Sequence, residues 1–165
     1  MAPPARHVGR ALALALALAS APAPAQAADA LRSAVGVLAG QLSDGVARLD
    51  ASELVVRRAR NRVAVLFALE GPGGGNGRWQ FLALYEPNES LRAGRAVAPR
   101  YRLLALQRIG ARGERLFDAA SARFDGTRLL LQGAAFRAGD AMCCPSRPIS
   151  RAFVLVDGRI AESAG

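Results

Sequence analysis

Lysine is absent from this chain of 165 residues, and histidine occurs once, at His7. His7 falls in an N-terminal stretch that we expect to be removed, so the mature chain would contain neither an imidazole nor a lysine amine. Without an imidazole, Ser-His-Asp and Cys-His catalysis and histidine zinc sites are excluded. The sequence therefore predicts a protein that is not an enzyme, with no catalytic, cofactor-binding or metal-binding residues and no cofactor.

The N-terminal stretch has the pattern of a secretory signal peptide over residues 1–27. Arg6 and Arg10 form a positive start, residues 11–19 form an apolar core of alternating Ala and Leu, and Ala25-Gln26-Ala27 supplies a small-residue cleavage site. The apolar core is far shorter than the ~20 residues that span a bilayer. We therefore expect cleavage near Ala27, release into the periplasm or the medium, and no membrane-spanning segment.

Charge is one-sided, because 22 basic residues, all arginine, oppose 13 acidic residues and give a formal net charge of +9. The arginines are scattered, with one cluster at residues 57–62. Nucleic acid is disfavoured as a partner by export and by the lack of a basic patch with interleaved aromatics. We expect a single globular domain over residues 28–165 whose partner is an envelope protein or an anionic envelope component.

Hydrophobic periodicity predicts one helix followed by strands. Asp29 is a candidate N-cap for a helix that begins at Ala30, and Ser43-Asp44-Gly45 would end it. Alternating or continuous apolar runs between turn residues predict the strands. These runs are Glu53 to Ala59, Val63 to Leu69, Trp79 to Tyr85, Tyr101 to Ile109, Leu116 to Phe124, Arg128 to Phe136, Ile149 to Val156 and Arg159 to Glu162.

Turn chemistry indicates hairpins between these strands. Asp125-Gly126 and Asp157-Gly158 are typical of type I′ turns, and Gly71 to Gly77 predicts a longer turn in which Asn76 takes a positive φ.

We expect an α+β fold, in which the helix packs on a curled, mostly antiparallel sheet of six to eight strands that closes partly into a barrel. The alternative is an all-β sandwich with the helix at its periphery.

The only two cysteines are adjacent, at Cys143 and Cys144. In an oxidising compartment they can form a vicinal disulfide. Consecutive Cα atoms are ~3.8 Å apart across a trans peptide, whereas ordinary disulfides prefer roughly 4.4 to 6.8 Å. Such a bond would be strained and relatively easy to reduce, and its loop-closure term is only ~1 kcal/mol.

Several roles remain open for the cysteine pair. It can act as a rigid structural corner, helped by Pro145 and Pro148, or as a reversible redox site. With Met142 it can bind a soft metal such as Cu(I), or both thiols can be free or paired between molecules. Asp140, Met142, Arg147 and Arg151 surround the pair and could form an interaction site, although a turn aspartate and two solvated arginines explain the same pattern.

The segment Asp140-Ala141-Met142-Cys143-Cys144-Pro145-Ser146 resembles an acidic-x-Met-Cys-Cys-Pro-Ser/Thr segment. A family of uncharacterised exported bacterial proteins and lipoproteins carries that segment before a C-terminal β-hairpin. Residues 74–76, 109–113 and 157–162 are also similar, and the likeness covers roughly Arg62 to Glu162. The resemblance implies an exported location and a β-rich organisation, and it implies no activity.

From these observations we expect a non-enzymatic periplasmic accessory or interaction protein that uses a sheet face or edge and a structural Cys-Cys corner. One alternative is a module that binds a small ligand or an anionic lipid in the concavity of the sheet. Trp79, Phe81 and Tyr85, which share a strand face, would then line a pocket instead of the core. Another alternative is a thiol-redox or Cu(I)-handling protein.

Overall fold

The computed structural model describes residues 24–88 and 100–165. Most of them belong to one helix and eight strands. These are α1 (Pro24–Leu42), β1 (Arg48–Ala59), β2 (Arg62–Glu70), β3 (Arg78–Pro87), β4 (Tyr101–Ala111), β5 (Arg115–Asp125), β6 (Arg128–Ala135), β7 (Arg147–Val156) and β8 (Arg159–Ala164). All eight predicted strands are confirmed, with ends that differ by a few residues. Most of the predicted signal peptide lies outside the described residues.

Helix α1 begins earlier than predicted and ends where predicted. It begins at Pro24, so the start at Ala30 and the Asp29 cap are wrong. Proline is favoured at the first helical position and the alanines that follow are strong helix formers, which extends the helix toward the N-terminus. Its inner face buries residues at a spacing of four, namely Leu31, Val35 and Ala39.

The eight strands form one antiparallel sheet in chain order, from β1 to β8. The β4–β5 pairing rests on a single residue pair, Ala111 with Arg115. The sheet therefore divides there into two halves, a first half of β1–β4 and a second half of β5–β8. Strand β1 also contacts β5, and β4 contacts β8, so the halves lie one over the other.

Two core clusters fill the spaces on either side of the first half. One cluster lies under α1 and includes Phe67 and Phe81, whose rings stack with centroids 5.3 Å apart. Tyr85 is buried in it and Trp79 packs against it, so the predicted aromatic face is core. The other cluster lies between the halves and joins Leu66 and Leu82 of the first half to Phe117, Leu131 and Phe153 of the second.

The predicted helix on a mostly antiparallel sheet is thus confirmed, and the chain is β-rich. The α+β assignment is correct only in part, because a single helix accompanies eight strands. The sheet is not closed, since β1 and β8 stand at its two ends in the described part of the chain.

The turns agree with the sequence only in part. Asp157 and Gly158 both have positive φ, which confirms the type I′ turn. At the other Asp-Gly, Asp125 pairs with Arg128, so Gly126 is the first turn residue. Its φ of 59° fits a type II′ turn, and the type I′ prediction is wrong there. The loop at residues 71–77 is a hairpin turn as predicted, but glycines take its positive φ values and Asn76 does not.

Candidate functional site

The cysteine pair lies in the connection between β6 and β7, which we call the Cys-Cys loop (residues 136–146). Pairing of Ala135 with Arg147 closes the base of this loop. Both cysteines are exposed. Their sulfur atoms lie 2.21 Å apart, at bonding distance, and their Cα atoms are 3.8 Å apart. The structure therefore places a vicinal disulfide between two residues that are exposed at the surface.

Asp140 holds the two legs of the Cys-Cys loop together. Its Oδ2 accepts hydrogen bonds from the backbone N–H groups of Arg137, at 2.8 Å, and Ser146, at 2.9 Å. These bonds stabilise the charged carboxylate and keep the pKa of Asp140 below its ordinary value, with the Arg137 bond as the largest cause. Asp140 thus acts as a loop-closing residue, and its carboxylate is engaged at the base instead of projecting toward a partner.

Met142 lies at the tip of the loop, on the side that faces the β4–β5 turn. Its side chain is 59% exposed, and its Cε would lie 3.6 Å from a Cβ built on Gly113 of that turn. The Phe136 N–H donates to the Glu114 carbonyl at 3.0 Å and fixes the loop to the same turn. The loop is therefore supported by the junction of the two halves.

The two predicted arginines lie at different distances from the loop. Arg147 is exposed and begins β7 directly after the loop. Arg151 is four residues further along β7, ~13 Å away by strand geometry. Its Nε lies 3.0 Å from Oε1 of Glu162, and its NH1 donates to the Ser150 carbonyl. The structure brings Asp140, Met142 and Arg147 together with the cysteines and places Arg151 in a separate ion pair.

The disulfide connects residues that are already joined by a peptide bond, so it ties no distant parts of the chain together. Extrapolating the loop-closure relation to this minimal ring gives only ~1 kcal/mol. The Asp140 hydrogen bonds and the Phe136–Glu114 bond are the contacts that close the loop and attach it to the sheet. The loop therefore has a means of closure that does not involve sulfur.

Sequence reasoning missed a buried polar contact between the halves. Gln80 is 5% exposed. Its Nε2 donates to the Phe117 carbonyl at 2.8 Å, and its Oε1 accepts from the Phe117 N–H at 2.7 Å. A side chain at Gly110 would clash there, since its Cβ would come within 2.9 Å of that Oε1. A lone glutamine within an apolar strand was the available signal. An adjacent cavity of about 10 Å³ has room for about one water molecule.

Arginines also bridge the halves in ways that the sequence did not reveal. Arg57, from the predicted basic cluster, donates to the backbone carbonyls of Ala120 and Ala122 in β5. Arg115 of β5 donates from its Nε to the Ile109 carbonyl of β4 at 2.7 Å. Within the second half, the same guanidinium forms a two-pronged ion pair with Glu162, with N–O distances of 2.6 and 2.7 Å. These guanidinium groups serve internal contacts, so the net positive charge is not all available to a partner.

Within residues 24–88 and 100–165, no helix is long and apolar enough to cross a bilayer. The same residues contain no group of three or more His, Cys, Asp and Glu side chains that could hold a metal ion. No protein-family model, curated protein or solved structure matches this chain. The resemblance carried by the Cys-Cys segment therefore stays a prediction.

Proposed function

We propose that this chain is a non-enzymatic accessory or interaction protein of the bacterial cell envelope, which presents the Cys-Cys loop to a protein partner. The observation that carries the proposal is an exposed sulfur-rich tip, Met142 to Cys144, on a loop whose base is pinned by Asp140. A loop held in one conformation loses little conformational entropy on binding, which favours affinity.

Charge around the loop favours an acidic partner surface. Arg137 lies near the start of the loop and Arg147 directly follows its end, and both are exposed. Neither guanidinium forms an ion pair with the side chains that the structure describes. Complementary charge speeds encounter and suppresses wrong partners more than it adds affinity. We therefore infer that carboxylates of the partner approach these two arginines.

The proposal also includes export and a barrel-like curl of the sheet. Export is supported by the pattern of residues 1–27, and the curl by the halves lying one over the other beyond Ala111. Intact mass of the protein recovered from the periplasm tests export directly. A mass that corresponds to Ala28 as the first residue is expected, and an unprocessed chain retained in the cytosol would remove this part of the proposal.

Site-specific photocrosslinking tests the loop as the contact surface. A photoreactive residue at position 142 is compared with one at position 156, since Val156 is 48% exposed and lies at the far end of β7. We expect a discrete protein adduct from position 142 in the envelope fraction and none from position 156. The variant R137Q/R147Q should weaken that adduct.

Other results would contradict the proposal. Equal crosslinking from both positions would indicate non-specific encounter. Crosslinking from position 142 to lipid alone would favour the anionic-lipid alternative. Absence of any adduct from position 142 would remove the loop as an interaction site.

A further inference from the structure

The exposed disulfide is chemically accessible without unfolding. Both cysteines lie at the surface, and the contacts that close the Cys-Cys loop come from Asp140, Phe136 and Glu114. Breaking the bond between Cys143 and Cys144 removes none of those hydrogen bonds. A thiolate can therefore attack the disulfide in the folded protein, and the loop can remain closed at its base afterwards.

Ring size makes this bond a good substrate for exchange. The two Cα atoms are 3.8 Å apart, below the roughly 4.4 to 6.8 Å of ordinary disulfides. Strained and exposed disulfides are the labile ones, whereas structural disulfides resist reduction by small thiols. Exposure and minimal ring size thus favour reaction over a purely structural role.

Local charge selects among small thiols. Arg137 lies near the start of the loop that carries the disulfide and Arg147 directly follows that loop; both are exposed and neither is in an ion pair among the described side chains. Asp140 keeps its negative charge and offsets part of the charge of Arg137, whereas the charge of Glu114 is offset by Arg108, whose NH2 lies 3.1 Å from Oε1 of Glu114. Together these side chains leave the loop with a net positive charge. A thiol that carries a carboxylate is therefore attracted to the loop, and a cationic thiol is repelled.

We propose that the Cys143–Cys144 disulfide is a site of thiol–disulfide exchange with small anionic thiols. A carboxylate-bearing thiolate attacks one cysteine sulfur, the bond between the cysteines breaks, and the other cysteine leaves as a thiolate that takes a proton from water. A second anionic thiolate attacks the small-molecule sulfur of the mixed disulfide, and the remaining cysteine leaves as a thiolate that also takes a proton from water. Overall, two thiols become one small disulfide, and the protein gains two electrons and two protons as a pair of cysteine thiols.

Rates of reduction of the folded protein test this proposal, which does not depend on the partner proposed above. Mercaptoacetate, mercaptoethanol and cysteamine supply an anionic, a neutral and a cationic thiol. Samples are quenched by alkylation, and intact mass counts the alkylated cysteines. Each rate constant, per thiolate present, is divided by that of the same thiol with the uncharged disulfide of mercaptoethanol, which removes differences in intrinsic nucleophilicity, and these normalised constants are the ones compared below. At low salt we expect the normalised constant of mercaptoacetate to exceed that of mercaptoethanol on the order of threefold to tenfold, and that of cysteamine to be the smallest. The differences should fade at about 1 M salt, where the Debye length is about 3 Å.

Matched variants separate local from overall charge. R137Q/R147Q should bring the three rate constants close together. R128Q/R159Q removes the same charge from exposed hairpin residues at the opposite end of β6 and β8, and should keep the wild-type order. If the protein is isolated with reduced thiols, the reverse reaction with the disulfide of each reagent is timed, and the same order is expected.

Several results would overturn the proposal. Equal constants for the three reagents, an order that salt does not change, or equal effects of the two double variants would each exclude selection by the loop arginines. Reduction that occurs only in denaturant would show that the disulfide is not a substrate in the folded protein.

Discussion

The two halves of the sheet differ in how many of their faces are covered. In the first half, every residue of β2 from Val63 to Leu69 is buried, because α1 covers one face and the second half covers the other. In the second half, β6 buries Leu129 and Leu131 but exposes Arg128 and Gln132. The first half is therefore the middle layer of the protein, between α1 and the second half, and the second half is an outer layer.

This difference shows what a continuous apolar run means in an antiparallel sheet. Unbroken runs are usual in parallel sheets, which have helices on both faces, whereas an antiparallel strand with one wet face alternates. Here a single helix and a folded-over sheet supply the two covers. A run such as Val63 to Leu69 therefore predicts two covering layers, and a strand such as β6 predicts one.

Alanine substitutions at consecutive positions test the comparison and should have the largest effects. In β2, Phe67→Ala should reduce the free energy of unfolding by about 3–5 kcal/mol and Leu66→Ala by about 2–5 kcal/mol, since both side chains are buried. In β6, Leu131→Ala should cost about 2–5 kcal/mol, whereas Gln132→Ala should stay within about 0.5 kcal/mol. Urea unfolding measures each value.

The informative quantity is the difference between neighbours. A near-neutral Leu66→Ala would mean that the second half does not cover the first. A large loss for Gln132→Ala would mean that β6 has a second buried face.

A glycine substitution in the second half should have the next largest effect. A Cβ at Gly133 would lie 2.2 Å from the Leu116 carbonyl oxygen and 2.8 Å from the Phe117 Cα, and both are backbone atoms of the neighbouring strand. Gly133→Ala should therefore cost about 1–3 kcal/mol or more. Gly36→Ala on the exposed face of α1 is the control, where nothing lies within 4 Å and a gain of up to about 1 kcal/mol is expected. Thermal unfolding that ranks the two variants in the opposite order would contradict this close approach.

Sequence patterns predicted the local elements better than the contacts between layers. All eight strands were predictable, because apolar runs and turn residues act within a few positions, as at Asp157-Gly158. The partners of Gln80 and Arg57 were not predictable, because they depend on which strands of the two halves face each other.

The site shows the same division. Adjacency of the cysteines made a vicinal disulfide one of several predicted states of the pair, and the structure places the two sulfurs at bonding distance. The role of Asp140 was harder to predict, because a turn aspartate and an interacting aspartate fit the same local pattern. The same difficulty affected the start of α1, where several residues before Leu31 fit a helix start. A turn role for Asp140 was one of two interpretations, and only the hydrogen bonds to Arg137 and Ser146 identify it as the residue that closes the loop.

The smallest expected effects come from two carboxylates that close loops, one in each half. Asp44 accepts from the Gly73 N–H and keeps the glycine-rich loop of the first half against the end of α1. Asp140 closes the Cys-Cys loop of the second half. The pKa of each carboxyl lies below its ordinary value of 3.8, mainly because of the N–H groups of Gly73 and Arg137 respectively.

A lowered pKa fixes the sign of the pH dependence. The contribution of each carboxylate is fully present above about pH 3.8, and it is lost as the pH falls through the lower pKa of the folded protein. Hydrogen-exchange protection factors at Gly73, Arg137 and Ser146 should therefore fall below about pH 3.8 while the strands stay protected. Asp140→Asn should lower protection at Arg137 and Ser146 at neutral pH and leave Gly73 unchanged.

C143S/C144S should loosen the tip of the loop without abolishing folding, and it should cost about 1 kcal/mol or less in unfolding free energy. If C143S/C144S instead exposes the loop base as much as Asp140→Asn does, the disulfide closes the loop together with the carboxylate, and exchange with thiols would then open it.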